Sequence, residues 1–523
     1  MPVRNVTLGN QNIRRGISLS VGTPPQRLAF QAALNKNNSI LYDVSGFGFC
    51  DQNSSSALCS TVRGGLFDQD QSESWATRRN KAAAGAAMES GETPETTGDA
   101  SQVWGTDVVH FNSTISADST PLGIAKDGGL SMNTLGLGRN STFMNSLLEA
   151  EQIMSRGWAL FWGLDGGLPA AQMDGSLVLG GYDRAKMAGG NFTTALAEDE
   201  FCSTRLLVTI SDIALDFANG TSTSLLGPAR GSSQQFCITP DYPLITIPYD
   251  VWLEFAARAG GTLGGGDRND NRSSSPINSW GMVYEADDVY DGSLTFTLAA
   301  AGRSMNFTVS NDQLIVPELY VDDSGQIVQQ DPSVREVKLN SLQDINENDM
   351  PMLGQPFLTG AYLIVDYDQD TFTVAPATPT LEEDIVPFEN AAGECVTTKP
   401  ALPAAATATA TATAAASESP TAVPSKGALA GSVIGGVCAL ILVSVGGYIL
   451  WRKWSSRHSA IKSETFPYEM DQESPRAGDG VRVLGKPMSR YLGDNNHFGV
   501  PGREAELPHH GWQEPYELSD TRI

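Results

Sequence analysis

Apolar residues come in short runs along most of this chain, each bounded by clusters of Gly, Asn, Asp or Pro. The clearest are ISLSVG (17–22), LAFQAAL (28–34), SLVLGG (176–181), LLVTISDIALDF (206–217), LTFTLAAAG (294–302) and AYLIVDYD (361–368). Short runs rich in β-formers and punctuated by turn residues predict strands. Two segments depart from this with helical spacing: Phe143 to Gln152 (FMNSLLEAEQ), and Tyr249 to Ala257, which follows Pro248. Strands do not alternate with helical segments, so parallel βαβ units are not expected. The prediction is an all-β body with few helices.

The pattern stops near residue 395. Residues 396–426 include PALPAAATATATATAAASESPTAVP, a composition that cannot bury a core and has the character of an O-glycosylated stalk. Residues 427–451 (GALAGSVIGGVCALILVSVGGYILW) carry no charge over 25 positions. At ~1.5 Å per helical residue this exceeds a hydrocarbon core ~30 Å thick, so the segment is predicted to cross a membrane. Arg452, Lys453, Arg457 and Lys462 follow it, whereas Lys426 alone lies close on the other side, which places the C-terminal tail in the cytoplasm. Residues 452–523 are charged, rich in Pro and Gly, and without apolar periodicity, so a disordered tail is expected.

Two short patterns in this C-terminal part suggest partners. Pro467-Tyr468-Glu469-Met470 recurs as Pro515-Tyr516-Glu517-Leu518. This is either coincidence in a Tyr/Glu-rich tail or a pair of docking or phosphorylation sites for a cytoplasmic partner. Gly427, Gly431 and Gly435 repeat a small-xxx-small spacing that would let two membrane helices pack closely as a homodimer.

Charge and sequons bear on the compartment. Ten basic and eleven acidic side chains lie from Arg452 onward, so nearly all of the net charge of −26 belongs to the preceding residues. An acidic body argues against nucleic acid and anionic lipid as partners. Asn5, Asn37, Asn53, Asn112, Asn140, Asn191, Asn219, Asn271 and Asn306 each begin an Asn-x-Ser/Thr triplet, and none follows the predicted span. Their one-sided distribution supports an extracellular or lumenal N-terminal part carrying glycans. Met1 to Asn5 has no apolar leader segment, so a signal peptide is expected upstream of the given start. At 523 residues the chain exceeds what one core usually organises, and at least two lobes are expected.

Five stretches, in order, resemble the pepsin-like aspartic peptidases: ISLSVGTPPQ before a first active-site loop, MNTLGLGRNSTFMNSLLEAEQIMSRGWALFWG (132–163), DGSLVLGGYDRAKMAGG (174–190), Leu244-Ile245-Thr246-Ile247-Pro248, and MLGQPFL (352–358) with the following AYLIVDYDQDTFTVAPA. The resemblance implies a bilobal all-β fold with lobes over 1–195 and 196–395. It also implies two catalytic aspartates sharing one proton. Counting from Gln26 and back from Pro248, their positions fall on Ala33 and Thr239, and neither holds a carboxylate. The resemblance further places Glu95 at the tip of a flap and pairs Cys50 with Cys59 in a small disulfide loop. Asp43 and Asp241 are the nearest substitute acids, giving an alternative reading as an active acid endopeptidase.

Other chemistry has little material. His110 is the sole histidine before the span and lies in the apolar context VVHFN, so a structural role is expected. The Gly-rich stretch 260–266 lacks the Lys-Ser/Thr of a phosphate loop. No cofactor or metal is expected. Cys202, Cys237 and Cys395 leave their pairing open, and Cys438 lies within the predicted span. The expected function is a membrane-anchored, catalytically inactive glycoprotein whose cleft binds peptide or polymer. A further alternative is a stalked adhesion or wall-organising protein that binds polysaccharide.

Overall fold

Strand Leu207–Phe217 shows how local sequence sets the sheet. Val208 and Ile210 are buried on alternate positions, then Ile213 and Leu215, so the alternation slips by one residue in between. The slip coincides with a register irregularity between Ile210 and Asp212 in pairing with Gly292–Ala300. A bulge there absorbs the extra residue and keeps all four side chains on the core face. Strand Gly157–Leu164 (GWALFWGL) instead is buried at nearly every position. Its neighbours are Met173–Leu179 and Ala361–Asp366, and a strand covered on both faces requires a continuous apolar run.

A computed structural model of the chain describes residues 1–44, 55–88, 102–112, 115–125, 132–166, 172–226, 233–259, 275–277, 282–285, 289–300, 302–329, 331–343 and 346–389. All belong to one compact unit, and the body is all-β as expected. The first sheet has 13 strands: those from Pro2–Thr7 through Phe192–Ala195 except Gly181–Asp183, which pairs with Ile385–Pro387, together with Ala361–Asp366 and Thr371–Pro376. Pairing of Ile13–Val21 with Gln102–His110 closes part of this sheet on itself. A second sheet of eight strands draws on residues from Leu207–Phe217 to Met352–Leu353. Parallel pairs occur in both, such as Gln26–Ala33 with Asn133–Gly136 and Gln234–Ile238 with Met352–Leu353. Their connections run through other strands rather than through a single helix.

The helices start where the sequence predicts. Helix Thr142–Glu149 is capped by Ser141, whose Oγ accepts from the Met144 N–H, and it buries Phe143, Met144 and Leu147. Helix Tyr249–Ala259 begins directly after Pro248 and buries Val251, Phe255 and Ala259. One apolar cluster includes Trp158, Leu160 and Leu363 of the first sheet and Ile210, Phe236 and Phe296 of the second.

Polar contacts tie the sheets as well. Asp165 follows strand Gly157–Leu164; its Oδ1 accepts from Lys338 Nζ at 2.9 Å and its Oδ2 from Trp162 Nε1 at 3.0 Å. Gln313 Oε1 accepts the backbone N–H groups of Asp165 and Gly166. Elsewhere the tip of the hairpin Leu319–Val321/Ile327–Gln329 docks on helix Ser56–Arg63. There the carbonyls of Asp323, Ser324 and Gly325 accept from Ser55, Asn12 and Thr61.

Among the described residues no helix is long and apolar enough to cross a membrane. The predicted stalk, span and tail lie outside those residues, as do Cys395, Cys438, Gly427, Gly431, Gly435, Tyr468 and Tyr516.

Candidate functional site

Ala33 is the last residue of strand Gln26–Ala33, 1% exposed, and its carbonyl accepts from the Leu137 N–H. The loop that follows is pinned by backbone bonds: Gly138 N–H to Lys36 O and Thr142 N–H to Asn37 O, both 2.9 Å. A Cβ on Gly136 would meet the Asn38 backbone at 2.6 Å, so the loop and the turn below it interlock without slack. Asn38 extends the clamp, its Oδ1 accepting from Thr142 Oγ1 and the Ala87 N–H.

Thr239 lies just past strand Gln234–Ile238 in the second sheet. Its N–H donates to Leu353 O, its carbonyl accepts from the Tyr242 N–H, and its Oγ1 points back to the Cys237 carbonyl at 3.4 Å. Gln355 N–H donates to Tyr242 O, and a Cβ on Gly354 would fall 2.3 Å from that carbonyl. The strand before the loop is fastened by a disulfide between Cys202 and Cys237, Cα atoms 5.4 Å apart. Thr204 Oγ1 between them donates to Ile238 O. Both loops are therefore held by backbone bonds, at Ala33 in one and Thr239 in the other.

The substitute acids differ sharply. Asp43 is 8% exposed, bridges to Phe67 beside strand Ser39–Tyr42, and has interactions of its own. Asp241 is half-buried, and its Oδ1 is sealed from solvent without a hydrogen-bond partner. Burial pushes this carboxyl up to about 6, against the opposing pull of its own backbone N–H and of the Lys36 charge on the facing loop. No hydrogen bond joins Asp43 to Asp241 among the described residues, so the two do not form a dyad that shares a proton. Glu95 lies outside the described residues.

His110 is structural: its Nε2 donates to the Gly22 carbonyl at 3.1 Å, beside the pairing of Ser20 with His110. Cys59 is disulfide-bonded, while Cys50 lies outside the described residues. No metal-binding group of three or more His, Cys, Asp or Glu exists among the described residues. Of the sequons, Asn5, Asn112, Asn140, Asn191, Asn219 and Asn306 are exposed. Asn37 is half-buried with its Oδ1 accepting from the Asn140 N–H, and Asn53 and Asn271 lie outside the described residues. Lys36 and the Asp165–Lys338 pair were missed by sequence reasoning. A lone Lys in a loop carries no spacing signal, and the pair is 173 positions apart.

A family model described as Alphavirus glycoprotein J matches residues 359–466, about a fifth of the chain. The matched stretch begins at the last β-hairpin of the described body and runs through the predicted stalk and span. No curated protein matches the chain. These comparisons overturn the resemblance to pepsin-like aspartic peptidases, since that family is not what the chain matches. The physical reason is that a Gly turn between alternating apolar residues is demanded by any twisted sheet with tight hairpins. Five such segments mark β-structure, not ancestry.

Proposed function

We propose that the chain is a single-pass membrane glycoprotein whose β-sheet body binds a peptide or polymer outside the cell or in a lumen, without catalysis by paired carboxylates. In this reading residues 1–195 and 196–395 form two lobes, 396–426 a stalk, 427–451 one membrane helix and 452–523 a cytoplasmic tail. The carrying observation is the pair of loops that follow strands Gln26–Ala33 and Gln234–Ile238, each clamped by backbone bonds and a close-packed glycine. General acid–base chemistry on a scissile bond needs two groups within reach of one reacting centre. Binding needs only rigid, preorganised loops, which the backbone bonds and close-packed glycines provide.

The test uses full-length protein in detergent. Incubation with a broad peptide library across acid and neutral pH is expected to give no cleavage, while peptide and glycan arrays capture the protein. Acid cleavage that disappears in Asp241→Asn overturns the non-catalytic reading. Glycosidase-sensitive mass on the intact chain, with the tail alone digestible in sealed vesicles, is the expected topology result.

A further inference from the structure

Residues 378–388 run as a strap across residues 180–186, and the body holds that strap largely through its backbone. Lys186 Nζ donates to the carbonyls of Thr380 and Glu382 at 2.6 and 2.7 Å. Asp183 Oδ1 accepts the Asp384 N–H at 2.8 Å, and the Arg184 N–H donates to the Asp384 carbonyl at 2.9 Å. Strand Gly181–Asp183 pairs antiparallel with Ile385–Pro387, and the Phe388 N–H closes the run on the Gly180 carbonyl. A buried ammonium and a buried carboxylate, with side chains 4% and 1% exposed, thus read two carbonyls and an N–H of the strap.

Most side chains of the strap face away from the body. Leu381 and Ile385 are 73% and 51% exposed, and Glu382, Glu383 and Pro387 also face solvent. Asp384 pairs with Arg184, but both side chains are exposed and such a pair adds little. Phe388 is the one anchor: its ring lies over Gly157, where any Cβ would fall 2.4 Å from it, and beside Tyr182 at 5.9 Å between centroids. A three-residue ladder with one aromatic anchor belongs to the low-stability end of a fold. Main-chain bonds plus a side-chain recess are also how a sheet edge accepts a strand from another chain.

We propose that residues 180–186 and the recess over Gly157 form a recognition groove for an extended peptide bearing an aromatic residue, and that residues 378–388 fill it in cis as a displaceable strap. The incoming peptide presents two carbonyls to Lys186, an N–H to Asp183 and its ring to Gly157. The groove shares no residue with the two clamped loops, so it binds its peptide whether or not they bind theirs.

The test uses full-length protein and a fluorescent peptide of residues 378–389. In the wild type the cis strap competes at high effective concentration, and binding is weak. Phe388→Ala removes the cis anchor, and the peptide is expected to bind this variant saturably and at least about tenfold more tightly. Ile385→Pro, which breaks the ladder from the strap side only, is expected to act in the same way. A peptide carrying Phe388→Ala, and Phe388→Ala protein that also carries Lys186→Met, are each expected to lose about tenfold. Hydrogen exchange separates an open groove from a lost fold: the Arg184 amide loses protection in Phe388→Ala protein and regains it with peptide, while amides of Gly157–Leu164 stay protected throughout. No saturable binding to either strap variant, or equal binding of a scrambled peptide, overturns the proposal. Wild-type dimers that form with rising concentration and dissolve on adding the peptide make a second copy the occupant, and overturn the cis assignment.

Discussion

Lys338 Nζ donates to Asp165 Oδ1 at 2.9 Å across the two sheets, with both side chains largely buried, at 7% and 14% exposure. Burial alone would raise the Asp165 carboxyl, but the Lys338 and Arg15 charges and the Trp162 N–H hold it below the usual range. Lys338→Met strands a buried carboxylate and is expected to destabilise the body by about 3–5 kcal/mol in chemical denaturation. Because the folded value is depressed, the bridge contributes fully above the unfolded carboxylate range and is lost only as pH falls below it. Unfolding curves for the wild type therefore show this contribution unchanged between neutral pH and pH about 5.

Asp241 behaves with the opposite sign. Its folded value is raised to about 6, so the destabilisation is complete above that pH and vanishes below the unfolded value of about 4. Asp241→Asn is expected to stabilise the protein near neutral pH by up to about 3 kcal/mol and to change little near pH 4. Midpoints of thermal unfolding at the two pH values check both halves.

The Cys202–Cys237 bridge closes a sequence separation of 35 residues. Chain-entropy reasoning gives about 3–4 kcal/mol for a loop of that size. A Cys202→Ala/Cys237→Ala variant is expected to lose about that much and to weaken protection in the Thr239–Tyr242 turn first, measured by hydrogen exchange.

Gly325 has φ +78°, and an added Cβ would lie 2.2 Å from Asn12 Nδ2 and 2.5 Å from the Ala57 carbonyl. Gly325→Ala combines a left-handed backbone strain of about 1–3 kcal/mol with that clash. The expected outcome is faster proteolysis within residues 319–329, because the hairpin tip leaves its helix while the sheets stay intact.

Glycan mapping distinguishes the sequons. Asn5, Asn112, Asn140, Asn191, Asn219 and Asn306 are exposed and are expected to carry glycans in a secretory host. Asn37 is engaged with the Asn140 N–H and crowded against Gly138, and it is expected to remain bare. Mass spectrometry after enzymatic deglycosylation reads each asparagine directly.

The runs that read as strands in the sequence are strands, and both helices predicted from periodicity formed, because each signal is local. LLVTISDIALDF carried its own bulge as a break in alternation. The tie of Asp165 to Lys338 was invisible for the opposite reason: it depends on which distant segments meet, and nothing near either residue marks it. Met352–Leu353 and Ile245–Ile247 are strands of two and three residues, too short for periodicity to show. The family resemblance failed because its motifs were turn chemistry, which many β-folds share. The sealed Asp241 oxygen follows only from packing.

Strand Ala361–Asp366 pairs Leu363 with Leu160, so a central strand of the first sheet gains one of its two neighbours only after some two hundred further residues have been made. During synthesis Gly157–Leu164 is an apolar strand with one open edge, liable to recruit another chain. Completion of the body is thus late and long-range, which slows folding and calls for protection of the nascent chain. A truncation before residue 361 is expected to leave an aggregating fragment rather than a smaller functional domain.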